Sequence, residues 1–176
     1  MRLAAFCKMA LYLYGTMAHN IVYKTADTAA DYELARGLFR EYAASLGVDL
    51  SFQDFEHELA NVHEQYHPPY GALLLAFAGD TAIGCTGIRR LADGVAELKR
   101  MYVQPAYRGS GRGLQLLQRA IALATDAGYH TLRLDTLPDM AQAQQLYRTF
   151  GFKEIPPYRY NPVAGTMYME KDLNLD

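Results

Sequence analysis

The sequence predicts a single domain of the α/β or α+β class, in which one parallel pair of strands lies inside an otherwise antiparallel sheet. Two observations support this prediction. Residues 20–103 contain a strand, two helices and three strands joined by tight turns, which is the pattern of an antiparallel meander. Residues 95–136 then run strand, helix, strand, and such a unit places its two strands parallel. The length of 176 residues fits one domain with a sizeable core.

The first strand and the first helix follow from side-chain types and spacing. Residues 20–26 are rich in β-branched and aromatic side chains and predict a strand. A helix is predicted over 27–47, capped by Asp27 or Thr28 and ended by Gly47. Its apolar side consists of Leu34, Leu38, Tyr42 and Leu46.

The middle of the chain is predicted to hold a short helix, a loop and the meander. The helix covers 51–62 with Ser51 as its cap, and the prolines of 63–71 exclude a helix there. Gly-Asp at 79–80 and Asp-Gly at 93–94 mark the two turns between three strands.

The last third alternates helices and strands. A helix over 113–128 shows one apolar stripe, a strand follows at 131–136, and a second helix over 138–151 ends at a glycine. Two further strands are predicted at 152–155 and 166–173. No repeat, linker or low-complexity tract interrupts the sequence.

Composition excludes several classes of function. A formal net charge of −2 gives no reason to expect nucleic acid or a membrane as a partner. The only cysteines, Cys7 and Cys85, support neither a disulfide framework nor a cysteine-based zinc site, so we expect a cytoplasmic protein. His63 and His67 lack a carboxylate or thiol to complete a ligand set, and no metal is expected.

The N-terminal segment differs from the rest of the chain. We expect residues 1–18 to be an extension, either disordered or upstream of a start at Met17, with the domain covering 19–176. Lys8 interrupts the apolar run and argues against a signal peptide.

The stretch "VQPAYRGSGRGLQLL" at 103–117 is the strongest functional signal. Its three glycines lie between a predicted strand and a predicted helix, where unpaired N–H groups and the helix dipole favour a phosphate. Arg108 and Arg112 add positive charge. The Walker pattern fails because no Lys-Ser or Lys-Thr follows, and the dinucleotide pattern fails because Leu114 stands where its third glycine belongs. A nucleotide-binding protein using ATP would also need Mg²⁺ ligands, which are missing.

Two spaced motifs resemble the GCN5-related N-acetyltransferase (GNAT) family. The pattern R-x-x-G-x-G at 108–113 looks like that family's coenzyme A loop, and "AQQLYRTFGF" at 143–152 resembles its A-x-x-L-Y-x-x-x-G-F signature. The similarity covers roughly 21–173. It implies a mostly antiparallel sheet of about seven strands, with a central splayed parallel pair and about four flanking helices. It also implies direct transfer of acetyl from acetyl-CoA, as co-substrate, to a primary amine.

The resemblance assigns the residues that bind acetyl-CoA. Backbone groups of Met101, Tyr102 and Val103 are expected to pair with the pantetheine arm. Backbone N–H groups are expected to hold the pyrophosphate along Arg108, Gly109, Ser110, Gly111, Arg112, Gly113 and Leu114. Many relatives carry asparagine where this chain has Met140, so one amide contact is expected to be missing.

Two catalytic residues are predicted. Tyr147 matches the family's tyrosine near the coenzyme sulfur and is the candidate general acid; the alternative is an ordinary core aromatic. Glu97 is the candidate base, because the period of two along a strand puts it on the same side as Met101. The alternatives are ordered water as the base, or a solvated Glu97 paired with Lys99 or Arg133.

The acceptor is expected to meet aromatic and histidine side chains of the early helices and the last loop. These are Tyr66, Tyr70, Tyr158, Tyr160, His63 and His67. Such a wall favours a small, partly apolar amine or an amino acid, with a peptide or protein amine as an alternative. A non-catalytic acyl-CoA-binding module is a further alternative, which Glu97 and Tyr147 argue against. A homodimer is compatible with the family.

Overall fold

The computed structural model describes residues 20–174, so the predicted extension at 1–18 lies outside the described residues. The described part forms one sheet of seven strands and contains five α-helices. The strands are β1 Ile21–Thr25, β2 Ala72–Ala78, β3 Thr81–Ala92, β4 Val95–Val103, β5 Thr131–Thr136, β6 Lys153–Ile155 and β7 Met167–Asp172. The helices are α1 Ala29–Leu46, α2 Phe55–Ala60, α3 Val62–Tyr66, α4 Arg112–Asp126 and α5 Ala141–Thr149.

The sheet has the order β1-β2-β3-β4-β5-β7-β6. All neighbouring strands are antiparallel except β4 and β5, which are parallel. The crossover between these two strands is α4. The predicted fold class, with one parallel pair in a mostly antiparallel sheet, is confirmed.

The parallel pair is short. Only Val95–Glu97 of β4 pair with Thr131–Arg133 of β5, although both strands continue for several residues. Beyond Glu97 the facing edges of β4 and β5 are no longer joined to each other. A gap therefore opens at the centre of the sheet, on the side of the carboxyl ends of both strands.

A β-bulge interrupts β4 at the start of this gap. Gly87 of β3 faces Lys99 and Cys85 faces Tyr102, so Arg100 and Met101 together oppose Thr86. Arg100 has φ of 53°, a left-handed conformation that is uncommon for a residue with a side chain. The extra residue shifts the alternation of side chains along the strand.

The bulge corrects one expectation. Met101 packs with Ala96 and Leu98 in the core cluster under α4 and α5. Glu97 points to the opposite face, where it meets Arg89 of β3. The two residues therefore do not share a side, because the period of two holds only in a strand without a bulge.

Apolar clusters cover both faces of the sheet. On one face, Phe39 of α1 and Tyr66 of α3 pack with Leu73 and Leu75 of β2. On the other face, Leu116 and Leu117 of α4 belong to two clusters that include residues from β2 to β7. The sheet is thus buried on both sides around its centre.

The capping predictions had different outcomes. Thr28 caps α1 with a reciprocal bond to Asp31, and Gly47 ends the helix with φ of 64°, both as predicted. Ser51 is not a helix cap; its hydroxyl donates to the Asp49 carboxylate.

The predicted helix over 51–62 is in fact divided. A 3₁₀ turn at Ser51–Gln53 precedes α2, and Asp54 between them has φ of 56°. The helical backbone then continues through α3 to Tyr66, inside the predicted loop, and stops before the two prolines. Only the last part of 63–71 is therefore a loop.

Candidate active site

A cleft of about 640 Å³ occupies the gap between β4 and β5. The glycine loop before α4 bounds one end of the cleft. The free edge of β4 forms its floor, and α5 forms a side wall. The lining includes Met101, Tyr102, Val103, Arg108, Gly109, Gly111, Arg112, Gly113 and Tyr147. The structure thus brings together, around one cleft, most of the residues expected to bind acetyl-CoA.

The glycine loop presents a row of unpaired backbone donors. Gly109 and Gly111 have φ of 81° and 74°, conformations in which glycine is favoured because it has no Cβ. None of the six N–H groups from Gly109 to Leu114 donates a hydrogen bond within residues 20–174. The first bond of the helix start runs from the N–H of Gln115 to the carbonyl of Gly111. These donors and the positive end of the α4 dipole suit an anion.

The two arginines of the loop brace its backbone. The Nε of Arg108 donates to the carbonyl of Val103 at 2.9 Å, and its guanidinium lies 5.7 Å from the ring centre of Tyr102. Arg112 donates to the carbonyl of Tyr107 at 2.8 Å. Both side chains therefore hold the loop in shape, while their charge stays beside the row of N–H groups.

Tyr147 of α5 lies where the cleft meets the core. It is 7% exposed, lines the cleft, and its ring centre is 5.8 Å from that of Phe152. Burial raises the pKa of Tyr147 above its ordinary value of 10.0, so the phenol is protonated at neutral pH. Its hydroxyl has no hydrogen-bond partner among the described residues, which leaves its proton available to a bound molecule.

Glu97 is enclosed and does not line the cleft. Its carboxylate is 0% exposed and contacts Arg89 at 2.9 Å and Arg159 at 3.1 Å, and it accepts a 2.9 Å bond from the Tyr158 hydroxyl. Burial alone would raise the pKa of Glu97, but Lys99 and the two arginines hold it below its usual value. The alternative of a solvated Glu97 paired with Lys99 or Arg133 is wrong.

A charged cluster surrounds the far end of the cleft, and sequence reasoning missed most of it. Asp135 of β5 accepts from Arg159 at 2.8 Å and from Asn161 at 3.2 Å. Gln53 accepts from both Lys99 and Arg100 at 3.0 Å. The signal available was the run "ELKR" at 97–100, since three charged side chains among four positions of a central strand are unusual unless they are paired.

The aromatic and histidine residues predicted to form the acceptor wall do not line this cleft. Tyr66 is fully buried in the core, where its hydroxyl donates to Glu58. His63, His67 and Tyr70 line a separate open groove of about 680 Å³ beside β3. Tyr160 is 77% exposed. None of these five residues lines the cleft, and neither does Tyr158. The end of the cleft away from the glycine loop is instead bounded by Tyr42, Ser45, Leu46, Leu98, Arg100, Leu134, Asp135 and Thr136.

Met140 occupies the position where an asparagine was expected from the resemblance. Its sulfur lies 3.7 Å from the Thr136 hydroxyl, which donates to it. The side chain of Gln144 donates to the carbonyl of Leu137 at 2.8 Å and so holds the loop between β5 and α5. Met140 lines the cleft without offering an amide.

Two further properties of the described residues bear on the site. Residues 20–174 contain no group of three or more histidine, cysteine, aspartate or glutamate side chains arranged to hold a metal ion. Over the same part of the chain, no helix combines the length and the apolar character required to cross a membrane.

Comparison with known proteins agrees with this geometry. The model of the acetyltransferase (GNAT) family matches residues 32–152. An uncharacterised N-acetyltransferase of Schizosaccharomyces pombe is 36% identical over 157 residues, which cover 88% of this chain and 96% of the relative.

Solved structures share the fold. An acetyltransferase of the GNAT family from Staphylococcus aureus has a TM-score of 0.71 at 21% identity, over 86% of this chain and 99% of that one. The protein yncA from Salmonella typhimurium, whose structure contains its cofactor acetyl-CoA, has a TM-score of 0.63 at 20% identity, over 89% and 95%.

The fold and the cleft define an acyltransferase of the GNAT type. The chain belongs to the acetyltransferase (GNAT) family, and the resemblance found from its two motifs is confirmed.

Proposed function

We propose that the protein transfers acetyl from acetyl-CoA directly to the primary amine of a small molecule or an amino acid. The observation that supports this most strongly is the row of six unpaired N–H groups from Gly109 to Leu114, which opens into the cleft between β4 and β5. The related fold of yncA, which holds acetyl-CoA, is consistent with the same donor here.

The cleft residues fit acetyl-CoA. The N–H groups of Gly109–Leu114 bind the pyrophosphate, which needs many donors and little side-chain bulk. Backbone groups of Met101, Tyr102 and Val103 pair with the pantetheine arm along the edge of β4 that β5 leaves free. An N–H near the bulge polarises the acetyl carbonyl, and such a donor stabilises the negative charge that develops on the oxygen.

Tyr147 is proposed to protonate the leaving thiolate. It lines the cleft, its phenol is protonated at neutral pH, and its hydroxyl makes no other hydrogen bond among the described residues. A tyrosine held in this way donates its proton as the C–S bond breaks and regains one from the acylated amine.

The base role predicted for Glu97 stays a prediction that its surroundings disfavour. An acceptor could reach this carboxylate only by displacing Tyr158 or one of two arginines. Two cations beside it also make it a weak proton acceptor. We propose instead that Glu97 positions Arg159, which in turn holds Asp135 at the acceptor end of the cleft.

The acceptor end favours a compact amine with an apolar part. Leu46, Leu98 and Leu134 line it together with Tyr42, and Asp135 and Thr136 supply the polar atoms. Asp135 is bound by Arg159 and Asn161, so it offers partial rather than free negative charge. This lining suits a small partly apolar amine better than a polycation.

The test is a calorimetric titration with acetyl-CoA, followed by free-thiol release over a panel of benzylamine, phenethylamine, a diamine, amino acids and short peptides. Binding with amine-dependent thiol release supports the proposal. The compound that is acetylated fastest then shows whether the acceptor is a small amine or a peptide. Binding without release from any amine indicates a non-catalytic acyl-CoA-binding module. Absence of binding contradicts the proposed role of the glycine loop.

A further inference from the structure

Lys99 is a buried lysine at the acceptor end of the cleft, and neither motif of the sequence includes it. It is 4% exposed and stands on β4 just before the bulge. Its Nζ donates to Oε1 of Gln53 at 3.0 Å and lies 3.8 Å from Oδ1 of Asp135. Lysine is rarely buried to this degree without a specific partner or role.

A small cavity of about 30 Å³ lies beside Lys99 and adjoins the cleft. The cavity and the cleft share Tyr42, Leu46, Leu98, Arg100, Asp135 and Thr136 as lining residues. A polar cavity of this size has room for about one or two water molecules, and water needs two to four polar partners. Lys99, Gln53, Asp135 and Thr136 offer such partners. Water in the cavity would therefore connect Lys99 to the cleft.

The charges that face Lys99 come from every element around it. Glu97 and Arg100 flank it on β4, Asp135 lies on β5, Glu58 lies on α2, and Arg159 approaches from the loop between β6 and β7. Gln53 of the 3₁₀ turn is neutral. Burial lowers the pKa of Lys99 to about 7. Arg100 and Arg159 act in the same direction, and the carboxylates of Glu97 and Asp135 oppose the shift.

The geometry points to Lys99 as the final acceptor of the proton that the substrate ammonium must lose, by way of water in the small cavity. This inference rests on the proposed function. A neutral lysine has two N–H groups and one lone pair. Gln53 accepts one N–H group at 3.0 Å, and Asp135 at 3.8 Å lies beyond direct hydrogen-bond length, which leaves the second N–H group and the lone pair for water in the cavity.

The proton balance is complete. An N–H bond of the acceptor ammonium breaks, its proton passes through water to Nζ of Lys99, and the neutral amine attacks the acetyl carbon. The C–S bond then breaks, the thiolate takes a proton from Tyr147, and the tyrosine regains one from the newly acylated nitrogen. Lys99 returns its proton to solvent after the products leave.

The test uses three variants, Lys99→Met, Lys99→Arg and the matched control Lys153→Met, which removes an exposed lysine of β6. The probe is the primary alkylamine with the fastest thiol release in the panel above. In the unmodified protein, kcat should rise with pH through about 7, because neutral Lys99 is the active form. Lys99→Met should lower kcat about 100-fold, which is a usual size for a general-base contribution. It should also remove the rise of kcat with pH.

Lys99→Arg separates a proton acceptor from a structural cation. Arginine keeps the charge and a donor for Gln53 but stays protonated, so it should be as inactive as the methionine variant. All variants should bind acetyl-CoA within about twofold of the unmodified protein. Recovery of activity in Lys99→Arg, a Lys99→Met variant that keeps the rise, or an unmodified protein without a rise near pH 7 would each overturn the inference. Absence of thiol release from the unmodified protein would instead contradict the proposed function.

Discussion

A single carboxylate, Glu97, holds the charges behind the site together. It lies between Arg89 and Arg159 and accepts from the Tyr158 hydroxyl, with no exposed surface of its own. Removing one partner of a buried ion pair is costly because the other charge is left unpaired in a medium that solvates it poorly.

Glu97→Gln tests whether this role is structural. The amide keeps an oxygen for Tyr158 but leaves Arg89 without a counter-charge and Arg159 with Asp135 alone, so we expect the free energy of unfolding to fall by about 3 kcal/mol. Chemical denaturation at pH 7 measures it, with Glu154→Gln on β6 as an exposed control. A variant of unchanged stability that has lost amine-dependent thiol release would instead support Glu97 as the base.

The stability that the Glu97 carboxylate contributes depends on pH in a defined direction. The surroundings lower the pKa of Glu97 below its ordinary value of 4.5, so the folded state favours the carboxylate. The stability it contributes is therefore present above pH 4.5 and is lost as pH falls through the lowered pKa. The difference between the unmodified protein and Glu97→Gln should be constant from pH 7 to about 5 and shrink in more acidic solution.

Tyr147→Phe tests the proposed general acid. We expect acetyl-CoA to bind within about twofold of the unmodified protein, because the ring and its packing on Phe152 remain. kcat for thiol release should fall about 100-fold through loss of the proton donor. Tyr160→Phe, at an exposed tyrosine, is the control. Equal activity in Tyr147→Phe would leave the tyrosine as a core aromatic only.

At the scale of an element, the start of α4 is the part of the molecule built for an anion. Its first amides are free, and Gly111 caps the helix in a left-handed conformation. Gly111→Glu adds a negative charge and a side chain where the pyrophosphate is proposed to lie. The affinity for acetyl-CoA should fall more than about 100-fold, measured by calorimetry.

The other end of α4 supplies a matched control. Gly128 also has a left-handed φ, 82°, and open space where a side chain would begin, but it lies beyond the carboxyl end of the helix. Gly128→Glu therefore brings the same backbone strain and the same charge to the same helix. Comparable loss of binding in both variants would mean that strain or net charge, rather than the pyrophosphate site, is responsible.

The β4 bulge shows where sequence reasoning ends at this scale. Alternation along "ELKRM" predicts one side for Glu97 and Met101, but Arg100 in a left-handed conformation places them on opposite faces. The bulge residue Arg100 forms a long-range ion pair with Glu58 of α2. Nothing local in the sequence indicates such a contact, because the two residues are brought together only by the packed fold.

For the whole molecule, local signals were sufficient to predict the architecture. Apolar periodicity, turn residues and the glycine loop led to the sheet with one parallel pair, and the two motifs led to the family. The acceptor end could not be predicted in the same way. Its lining combines α1, β4 and β5, whereas the aromatic residues around Tyr66 and Tyr70, which looked suitable in the sequence, are in the core or a separate groove.

The measurement that tests the account most directly is the mass of the acceptor after incubation with acetyl-CoA and the protein. We predict one added acetyl group on the nitrogen of a primary amine, formed at the rate of thiol release and abolished by Gly111→Glu but not by Gly128→Glu. Acetyl-CoA that binds in the cleft while every amine keeps its mass, or transfer that survives Gly111→Glu unchanged, would contradict the account.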